Sequence, residues 1–493
     1  MDYGFLKSGT DVRGIASDKG GKEIQLTEEA VYDISAAFAR WLCEKSGKKC
    51  TDVKIAVGHD SRITANEISV SVVRALTDAG IKTLFCGLCS TPAMFMTTVD
   101  LKADGAIQIT ASHHPFDRNG LKFFTREGGL EGTDISKILD MASNGEQIIC
   151  NKPGVTEAVD FMPQYAAGLR KIICDSLGKT SEQQPLKGYH IVVDAGNGVG
   201  GFYAKDVLAP LGADISGSRY LEPDGYFPNH IPNPENVQAM QSICEAVKES
   251  KADLGLIFDT DVDRAGCVAS NGEEINRNRL IALASYIALK DNPGATVVTD
   301  SVTSDGLKSF IEKELGGVHY RYRRGYKNVI DKAQELCAEG INCPLAIETS
   351  GHAALRENYF LDDGAYLVTK IVVELARGTD LSSIIGKLEM PAEEGECRLG
   401  ITVPYFKTYG ERVIDELTAF CENNPEYKIA DDNREGVRVS TPDGWFLLRL
   451  SVHDPVMPMN FESRNAGGID RDISKILPFL KKFDGLDISA LEK

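Results

Sequence analysis

The sequence predicts an α/β fold: three similar α/β domains with mixed sheets, followed by a smaller α+β domain at the C-terminus. One observation is a threefold repeat of apolar, β-branched runs that end in polar, turn-forming residues, as buried parallel strands do. These runs are "VKIAVGHDSR", "YHIVVDAGNG" and "ATVVTDSVTS". Another is the change of pattern near the C-terminus, where segments resemble antiparallel strands and a helix near 470–482 closes the domain. These segments are "CRLGITVPYF", "GVRVSTPDGWFLLRLSVHDP" and "MPMNFESR".

Each repeated unit shows the same order of elements. A helical stretch ends at a glycine before a second strand, and glycine suits a helix C-terminus because it accepts positive φ. A third apolar strand follows, in "DGAIQITASHH", "DLGLIFDTDVD" and "CPLAIETSGH". We therefore predict domains at 1–162, 163–273, 274–391 and 392–493. Ligands of open α/β sheets gather at the carboxyl ends of strands, so the three polar loops are expected to face one cleft.

Composition narrows the function classes. The net charge of −18 disfavours nucleic acid as a partner, but a local cationic patch can still hold a small phosphorylated substrate. There is no run of about 18 apolar residues, and the N-terminal segment lacks the apolar core of a signal peptide. The twelve cysteines are scattered, which suits a reducing compartment. We expect a soluble cytoplasmic protein that binds no membrane.

The strongest motif is the acidic run Asp259-Thr-Asp261-Val-Asp263-Arg264 after an apolar strand. In an extended segment, residues i, i+2 and i+4 point the same way, so three carboxylates would converge and require a cation such as Mg²⁺. An EF-hand loop is excluded, because its glycine and glutamate positions hold Arg264 and Ser270. Two alternatives remain open: a solvated acidic turn, and a phosphatase of the haloacid-dehalogenase type with Asp259 as nucleophile.

Ser112, in "TASHHPFDRNGLKFF", is either a nucleophile or a hydrogen-bonding residue of a polar loop. His113 and Lys122 are nearby donors for phosphate oxygens, and Asn119-Gly120 predicts a tight turn between them. A phosphate on this serine would bring about −2 charge, and that charge would require a metal and cationic side chains.

The third loop, "ETSGH", offers Glu348 and Ser350 as acceptors for sugar hydroxyls, with His352 behind them. Upstream, "RRGYKNV" adds Arg324 and Lys327 as cations. Each of these residues could equally be an ordinary surface residue.

Two other motifs are interpreted as structural. Cys86 and Cys89 have thioredoxin spacing but lead into "STPAM", which we predict to be a loop rather than the helix start that activates a thiol. The run Gly196–Gly201 satisfies a dinucleotide-binding pattern, with Asp214 placed for a ribose contact. The other two units lack these glycines, so we interpret the run as a tight strand-to-helix turn.

Four motifs, "TASHHP", "DTDVDR", "ETSGH" and "RLSVHDP", occur in the order seen in the α-D-phosphohexomutases. The chain resembles their phosphomannomutase/phosphoglucomutase branch, and "GTDVRGI" and "PDGYFPNHIPNPEN" also fit. The resemblance implies a heart-shaped, four-domain arrangement around a central cleft, in a monomer or homodimer. It implies an enzyme that moves phosphate between O1 and O6 of glucose or mannose through a phosphoserine and a bisphosphorylated sugar. It also implies Mg²⁺ as cofactor and glucose 1,6-bisphosphate as activator.

The resemblance also assigns roles to residues. The implied catalytic residues are Ser112, His113, Lys122, Arg264 and Arg13, and the implied metal ligands are Ser112, through its phosphate, Asp259, Asp261 and Asp263. The implied substrate-binding residues are Lys327, Glu348, Ser350, His352, Arg449, Ser451 and His453. Among these, Glu348 and Ser350 would bind the sugar O3 and O4, and Arg449 and Ser451 the phosphate that is not reacting.

Three departures from the family pattern bear on the substrate. His453 and Asp454 replace a threonine and a glutamate in the phosphate loop, where His453 is expected to donate in place of a hydroxyl. His114 stands in place of asparagine, and Ile347 in place of glycine. Two alternatives follow: a phosphoglucosamine mutase, which "NGLKFF" also fits, and a sugar-phosphate-binding paralogue without catalytic activity.

Overall fold

The computed structural model describes residues 1–146, 150–451 and 454–492. The chain divides into two compact units, Met1–Leu280 with Ser350–Ser382 and Ile281–Thr349 with Ser383–Lys493. The third predicted domain, 274–391, thus contributes residues to both units, and the four predicted boundaries stay a prediction.

The secondary structure alternates strands and helices through most of the chain. In chain order the strands are β1 (Lys7–Ser8), β2 (Asp11–Ile15), β3 (Lys54–His59), β4 (Lys82–Leu88), β5 (Gly105–Ile109), β6 (Arg118–Thr125), β7 (Gly128–Gly129), β8 (Thr156–Ala158), β9 (Ile191–Asp194), β10 (Leu254–Phe258), β11 (Ala265–Ala269), β12 (Glu274–Ile275), β13 (Thr296–Thr299), β14 (Val318–Arg321), β15 (Leu345–Ile347), β16 (Ala353–Leu355), β17 (Leu361–Asp362), β18 (Glu393–Ile401), β19 (Lys428–Ile429), β20 (Val437–Ser440), β21 (Gly444–Leu448), β22 (Val456–Ser463) and β23 (Leu486–Asp487). The α-helices are α1 (Glu28–Ser46), α2 (Ala65–Asp78), α3 (Thr91–Asp100), α4 (Gly132–Ser143), α5 (Met162–Leu177), α6 (Val237–Ser250), α7 (Asn278–Lys290), α8 (Asp305–Ser309), α9 (Tyr326–Ala338), α10 (Gly364–Ala376), α11 (Leu381–Ile385), α12 (Phe406–Glu422) and α13 (Gly468–Leu480). Among the described residues, no helix combines the length and the apolar character needed to cross a lipid bilayer.

The first sheet of unit 1 has the order β1-β2-β6-β5-β3-β4-β8, with β7 paired to β6. Strand β3 is parallel to β4 and β5, whereas β6 is antiparallel to β5 and β2, so the sheet is mixed as predicted. Its core packs α1, α2 and α4 against the sheet through residues such as Phe38 and Phe123, whose ring centroids lie 4.6 Å apart. Burial of such apolar side chains is the main driving force for this packing.

The second sheet of unit 1 has the order β12-β11-β10-β9, with β9 and β10 parallel and β11 antiparallel to β10. The glycine run after β9 is a tight turn packed against its own chain. An added Cβ at Gly198 would lie 2.6 Å from the Thr260 carbonyl oxygen, and one at Gly201 would lie 2.0 Å from that of Leu221. These close approaches explain the glycines without a dinucleotide, so the structural interpretation of this motif is confirmed.

The remaining sheets agree with the predicted third α/β unit and with the predicted antiparallel C-terminal domain. In unit 2, β13 pairs in parallel with β14 and β15, and the antiparallel hairpin β16-β17 belongs to unit 1. The C-terminal sheet of unit 2 has the order β19-β20-β21-β22-β18-β23 and is antiparallel. Helices α12 and α13 pack on it, so the predicted α+β domain with a closing helix near 470–482 is confirmed.

Two local predictions are wrong. Asn119 and Gly120 lie inside strand β6, where Gly120 pairs with Arg13 of β2, rather than in a tight turn. The segment "STPAM" begins a helix rather than a loop, because the Ser90 hydroxyl caps α3 by accepting from the Ala93 N–H at 3.3 Å. In both places a turn-forming residue serves another purpose, since serine also caps helices and glycine permits close backbone approach.

Replacing Gly120 by alanine tests this close approach. The new Cβ would lie 2.2 Å from the Val12 carbonyl oxygen and 2.8 Å from that of Thr110. We expect Gly120→Ala to lower the free energy of unfolding of unit 1 by about 1–3 kcal/mol, because the sheet must shift to admit the methyl group. The measurement is urea-induced unfolding followed by Trp41 fluorescence in a Trp445→Phe background.

The matched control is Gly168→Ala on the exposed face of α5, where an added Cβ meets nothing within 4 Å. This substitution should stabilise the helix by roughly 0.5–1 kcal/mol. Equal effects of the two substitutions would contradict the packing described for Gly120.

Candidate active site

The candidate site of unit 1 begins at Ser112, directly after β5. This residue is buried and has a φ of 48°, in the left-handed region that non-glycine residues rarely adopt. Its N–H donates to the Thr110 hydroxyl at 2.9 Å, and its Oγ donates to Asp259 Oδ2 at 3.0 Å. The serine and acidic loops, separated in sequence, are therefore in direct contact.

The acidic loop joins the antiparallel strands β10 and β11. It is a turn rather than an extended segment, since residues 260–263 form turns and bends and Val262 has a φ of 69°. The Val262 carbonyl accepts a hydrogen bond from the Gly364 N–H at 3.1 Å, which holds this conformation. The predicted extended conformation of this segment is therefore wrong, although the three carboxylates do converge.

The triad Asp259, Asp261 and Asp263 has the geometry of a cation site. One carboxylate oxygen from each residue lies within 4.8 Å of the others, and all three side chains are buried. Among the described atoms, Asp261 Oδ1 and Asp263 Oδ1 are buried without a hydrogen-bond donor. Buried polar atoms are normally satisfied, so these two oxygens fit a divalent cation with oxygen ligands.

Electrostatics supports the same interpretation. Burial, followed by the charges of Asp263 and Asp261, raises the pKa of Asp259 well above its usual range. Burial and the charge of Asp263 also raise the pKa of Asp261. Burial alone would raise the pKa of Asp263, but Lys122, His352 and Arg264 outweigh it and lower this pKa. The raised pKa values of Asp259 and Asp261 indicate that the neighbouring positive charges do not offset burial and mutual repulsion at these two carboxylates.

Cationic side chains surround the triad. Lys122, on β6, is buried and donates to Asp263 Oδ2 at 2.7 Å. Arg264 lies with its Nε 3.9 Å from Asp259 Oδ2 and its Nη1 3.7 Å from Glu235 Oε2. Arg13, on β2, forms an ion pair with Asp11 at 2.8 Å. These cations can bind phosphoryl oxygens brought to Ser112.

His113 is a neutral side chain beside the serine. Its Nδ1 lies 3.3 Å from Ser112 Oγ, and its ring stacks on that of His114 with centroids 5.1 Å apart. Burial, then the charges of Arg264, His114 and Arg13, lowers the pKa of His113 to about 2. The His113 ring is therefore neutral, and one of its nitrogens can accept a hydrogen bond while the other donates.

His352 belongs to the same side of unit 1. Its Nδ1 is hydrogen-bonded to the Asp362 carboxylate and lies 3.8 Å from Asp263 Oδ1. Asp263, His352 and Asp362 also form a second group with metal-compatible distances, but the bond to Asp362 already occupies the ring nitrogen that faces the carboxylates. Ser350 is buried and begins the segment 350–382, which belongs to unit 1.

The other predicted residues lie in unit 2. The Glu348 carboxylate accepts a hydrogen bond from the Gly325 N–H at 2.5 Å, and Lys327 forms an ion pair with Asp331 on α9. His453 lies outside the described residues.

Arg449 and Ser451 follow β21. Burial lowers the pKa of Arg449, and its charge neighbours include Glu435, Arg324 and Glu396. The Ser451 Oγ accepts a hydrogen bond from the Asp454 N–H at 3.2 Å. Unit 2 thus gathers two guanidinium groups beside carboxylates.

Several residues of the unit 1 site were not predicted from the sequence. Thr91 at the start of α3 holds Asp261 through its hydroxyl and through its N–H, which lies 2.9 Å from the Asp261 carbonyl oxygen. Asp60 and Arg62, in the polar segment after β3, contact the loop that carries Ser112. The one available signal was the position of "HDSR" at the carboxyl end of a parallel strand.

Three family models match successive parts of the chain. They are described as phosphoglucomutase/phosphomannomutase, alpha/beta/alpha domain I, II and III, and they match residues 6–148, 163–272 and 276–390.

Individual relatives match almost the whole chain. A phosphoglucomutase from Neisseria gonorrhoeae is 31% identical over 465 residues, which cover 94% of this chain and 93% of the relative. A phosphomannomutase/phosphoglucomutase from Pseudomonas aeruginosa is 29% identical over 462 residues, with 94% and 92% covered. The X-ray structure of a phosphoglucomutase/phosphomannomutase family protein from Burkholderia thailandensis has a TM-score of 0.81 at 26% identity and covers 98% of both chains.

Replacing Asp261 by asparagine tests the cation site. The substitution keeps the shape of the side chain but removes one of three converging charges, so we expect the affinity for Mg²⁺ to fall at least about tenfold. The measurement is isothermal titration of the purified chain with MgCl₂. Asp175→Asn is the matched control, because this carboxylate is exposed on α5 and forms an ion pair with the exposed Lys171. An unchanged affinity in Asp261→Asn would contradict the site.

Proposed function

This chain belongs to the phosphomannomutase/phosphoglucomutase branch of the α-D-phosphohexomutase family, and we propose that it interconverts hexose 1-phosphate and hexose 6-phosphate. The observation that carries the proposal is the hydrogen bond from Ser112 Oγ to Asp259 Oδ2, at 3.0 Å, inside a buried acidic triad. A hydroxyl in this position can carry a phosphoryl group whose charge is balanced by a cation and by basic side chains. Glucose and mannose phosphates are the proposed substrates.

In the proposed cycle, Ser112 carries the phosphoryl group between two sugar oxygens. The Oγ–P bond breaks as a P–O bond forms to the free hydroxyl of a hexose monophosphate. The proton of that hydroxyl is proposed to pass to Lys122, whose amine must be deprotonated at this step, and to return to the sugar oxygen that later loses its phosphoryl group. His113 lies beside Ser112 but is too weak a base for this role, because its pKa is lowered to about 2. The resulting bisphosphate turns over and returns its other phosphoryl group to Ser112, so that the enzyme is restored.

Other residues of unit 1 stabilise the transferring group. Lys122, Arg264 and Arg13 are proposed to bind its oxygens, and Asp259, Asp261 and Asp263 to hold Mg²⁺ together with an oxygen of the phosphoserine. When bound, Mg²⁺ supplies charge stabilisation of the phosphoryl group. The site does not need to form covalent bonds beyond that at Ser112, because phosphoryl transfer depends mainly on position and charge.

The substrate-binding roles are also proposals. We propose that Glu348 and Ser350 bind sugar hydroxyls and that His352 and Lys327 also bind the substrate. Arg449 and Ser451, with His453, are proposed to bind the phosphate that is not reacting. Support comes from the environment of Arg449, a partly buried guanidinium of the kind that binds phosphate through two hydrogen bonds.

Three further properties are part of the proposal: an activator, a location and an oligomeric state. Glucose 1,6-bisphosphate, or an equivalent, would act as activator by phosphorylating Ser112 when the phosphate has been lost. Cytoplasmic location is proposed because all twelve cysteines are free thiols, which persist in a reducing compartment. A monomer or homodimer is expected from the family alone.

The first test is whether Ser112 carries phosphate. We expect intact-mass analysis after incubation with glucose 1,6-bisphosphate to show about 80 Da added, on the peptide that contains Ser112. The Ser112→Ala variant should lack both this mass and mutase activity, whereas Ser61→Ala, at a serine outside the proposed mechanism, should keep the added mass. The phosphatase alternative predicts the opposite: release of free phosphate, loss of activity in Asp259→Asn and normal activity in Ser112→Ala.

The substrate class is measured in the same assay with glucose 1-phosphate, mannose 1-phosphate and glucosamine 6-phosphate. Turnover of glucosamine 6-phosphate alone would replace the proposal with a phosphoglucosamine mutase. Binding of all three sugars without turnover, in the presence of the bisphosphate, would indicate a paralogue without catalytic activity.

Arg449→Lys tests the proposed binding of the non-reacting phosphate by this arginine. Lysine keeps the charge but loses the planar pair of donors, so we expect KM for the hexose phosphate to rise about tenfold, with a smaller change in kcat. Arg464→Lys, at an exposed arginine of the same unit, should leave KM unchanged. Steady-state kinetics with saturating bisphosphate measures both constants, and an unchanged KM in Arg449→Lys would remove this residue from the phosphate site.

A further inference from the structure

A buried arginine outside the proposed catalytic group binds the backbone of the serine loop. The side chain of Arg62, just after β3, is fully buried. Its Nη1 donates to the carbonyl oxygens of Pro115 at 2.7 Å and Arg118 at 2.8 Å. Its Nη2 donates to the carbonyl oxygens of Ser112 and, at 2.6 Å, His114. One guanidinium group therefore ties together four carbonyls of the loop 112–118.

The Asp60 carboxylate holds Arg62 in place. Asp60 Oδ2 lies 3.3 Å from Arg62 Nε, and Asp60 Oδ1 accepts from the Arg62 N–H at 2.9 Å. The same carboxylate accepts from the Thr110 hydroxyl at 2.7 Å, and that hydroxyl accepts from the Ser112 N–H at 2.9 Å. A closed ring of contacts thus runs from Arg62 through Asp60 and Thr110 to Ser112 and back to Arg62.

The ring explains an unfavourable local conformation. Ser112 has a φ of 48°, which costs free energy for a residue with a Cβ. The loop also contains Pro115, which has no backbone N–H to donate. The hydrogen bonds from the Arg62 guanidinium to the loop carbonyls, and the bond from the Ser112 N–H to Thr110, offset this cost. In this conformation Ser112 Oγ donates to Asp259 Oδ2.

We propose that Arg62 is a positioning residue that holds the Ser112 hydroxyl in line for phosphoryl transfer. This inference rests on the proposed function, because it concerns the serine assigned there as the phosphoryl carrier. Arg62 itself is assigned no contact with substrate or metal. Its role requires several donors in one rigid plane, which lysine cannot supply.

The test compares Arg62→Lys with Arg74→Lys, an exposed arginine on α2 that pairs with Glu28. The first readout is the rate at which glucose 1,6-bisphosphate phosphorylates Ser112, followed by intact mass. We expect Arg62→Lys to slow this rate about 100-fold, the order of effect produced by misplacing a reacting group by about 1 Å, and Arg74→Lys to react at the wild-type rate. The second readout is Mg²⁺ affinity by calorimetry, which should stay within about threefold of wild type, since no Arg62 donor is used by the acidic triad.

Each outcome decides the inference. Phosphorylation of folded Arg62→Lys at the wild-type rate overturns it, and so does a parallel loss of Mg²⁺ affinity, which would indicate general disruption of the site. If Arg62→Lys does not accumulate as folded protein, Asp60→Asn takes its place, because it removes the carboxylate that orients the guanidinium. A wild-type rate in folded Asp60→Asn then overturns the inference. Failure of the proposed function is distinct, since the wild-type chain itself would then take up no phosphate.

Discussion

The burial of three aspartates side by side is the constraint on which the rest of unit 1 depends. Asp259, Asp261 and Asp263 lose their hydration, and two of them have raised pKa values because burial and mutual repulsion oppose ionisation. Lys122 donates a hydrogen bond to Asp263, whose pKa is lowered. Two carboxylate oxygens of the cluster have no hydrogen-bond donor among the described residues, and the Ser112 hydroxyl donates to a third carboxylate. A site with excess negative charge and free carboxylate oxygens is suited to binding a dication, and a phosphate on Ser112 would give that cation a further ligand.

Local backbone strain occurs at both loops of the site. Ser112 and Val262 have positive φ, although neither is glycine and Val262 is β-branched. Hydrogen bonds hold each conformation. The distant Gly364 bonds to Val262, whereas Ser112 is bonded by the distant Arg62 and by Thr110, two residues before it. Strain of this kind persists only where the surroundings over-determine the backbone, and here those surroundings are buried polar groups. The precision of the site is therefore a property of the folded unit rather than of either loop.

In unit 2, arginines rather than aspartates are the central charged groups of the proposed site. Its guanidinium groups at Arg324 and Arg449 lie near carboxylates, with Arg324 Nη1 3.8 Å from Glu396 Oε2 and the Arg324 N–H bound to Glu435. The Glu435 carboxylate also accepts from Ser301 and so links the loop after β13 to the C-terminal sheet. Around Arg324 and Arg449, positive side chains lie beside carboxylates, whereas negative charge dominates the triad of unit 1. This contrast agrees with the proposed division between a cation-binding site and a site that binds phosphate through arginine.

The sequence by itself determined the threefold α/β repeat, the antiparallel C-terminal domain and the residue types of the site, because burial periodicity and the chemistry of short motifs are local properties. It did not determine how the motifs are held. The tight turn at Asn119-Gly120, the loop at "STPAM" and the extended acidic run were wrong, since glycine, serine and aspartate serve several local structures. The contact of Ser112 with Asp259 spans 147 positions, and that of Thr91 with Asp261 spans 170. Only tertiary structure decides such contacts, because the chain must pay the entropy of closing those loops through packing elsewhere before they form.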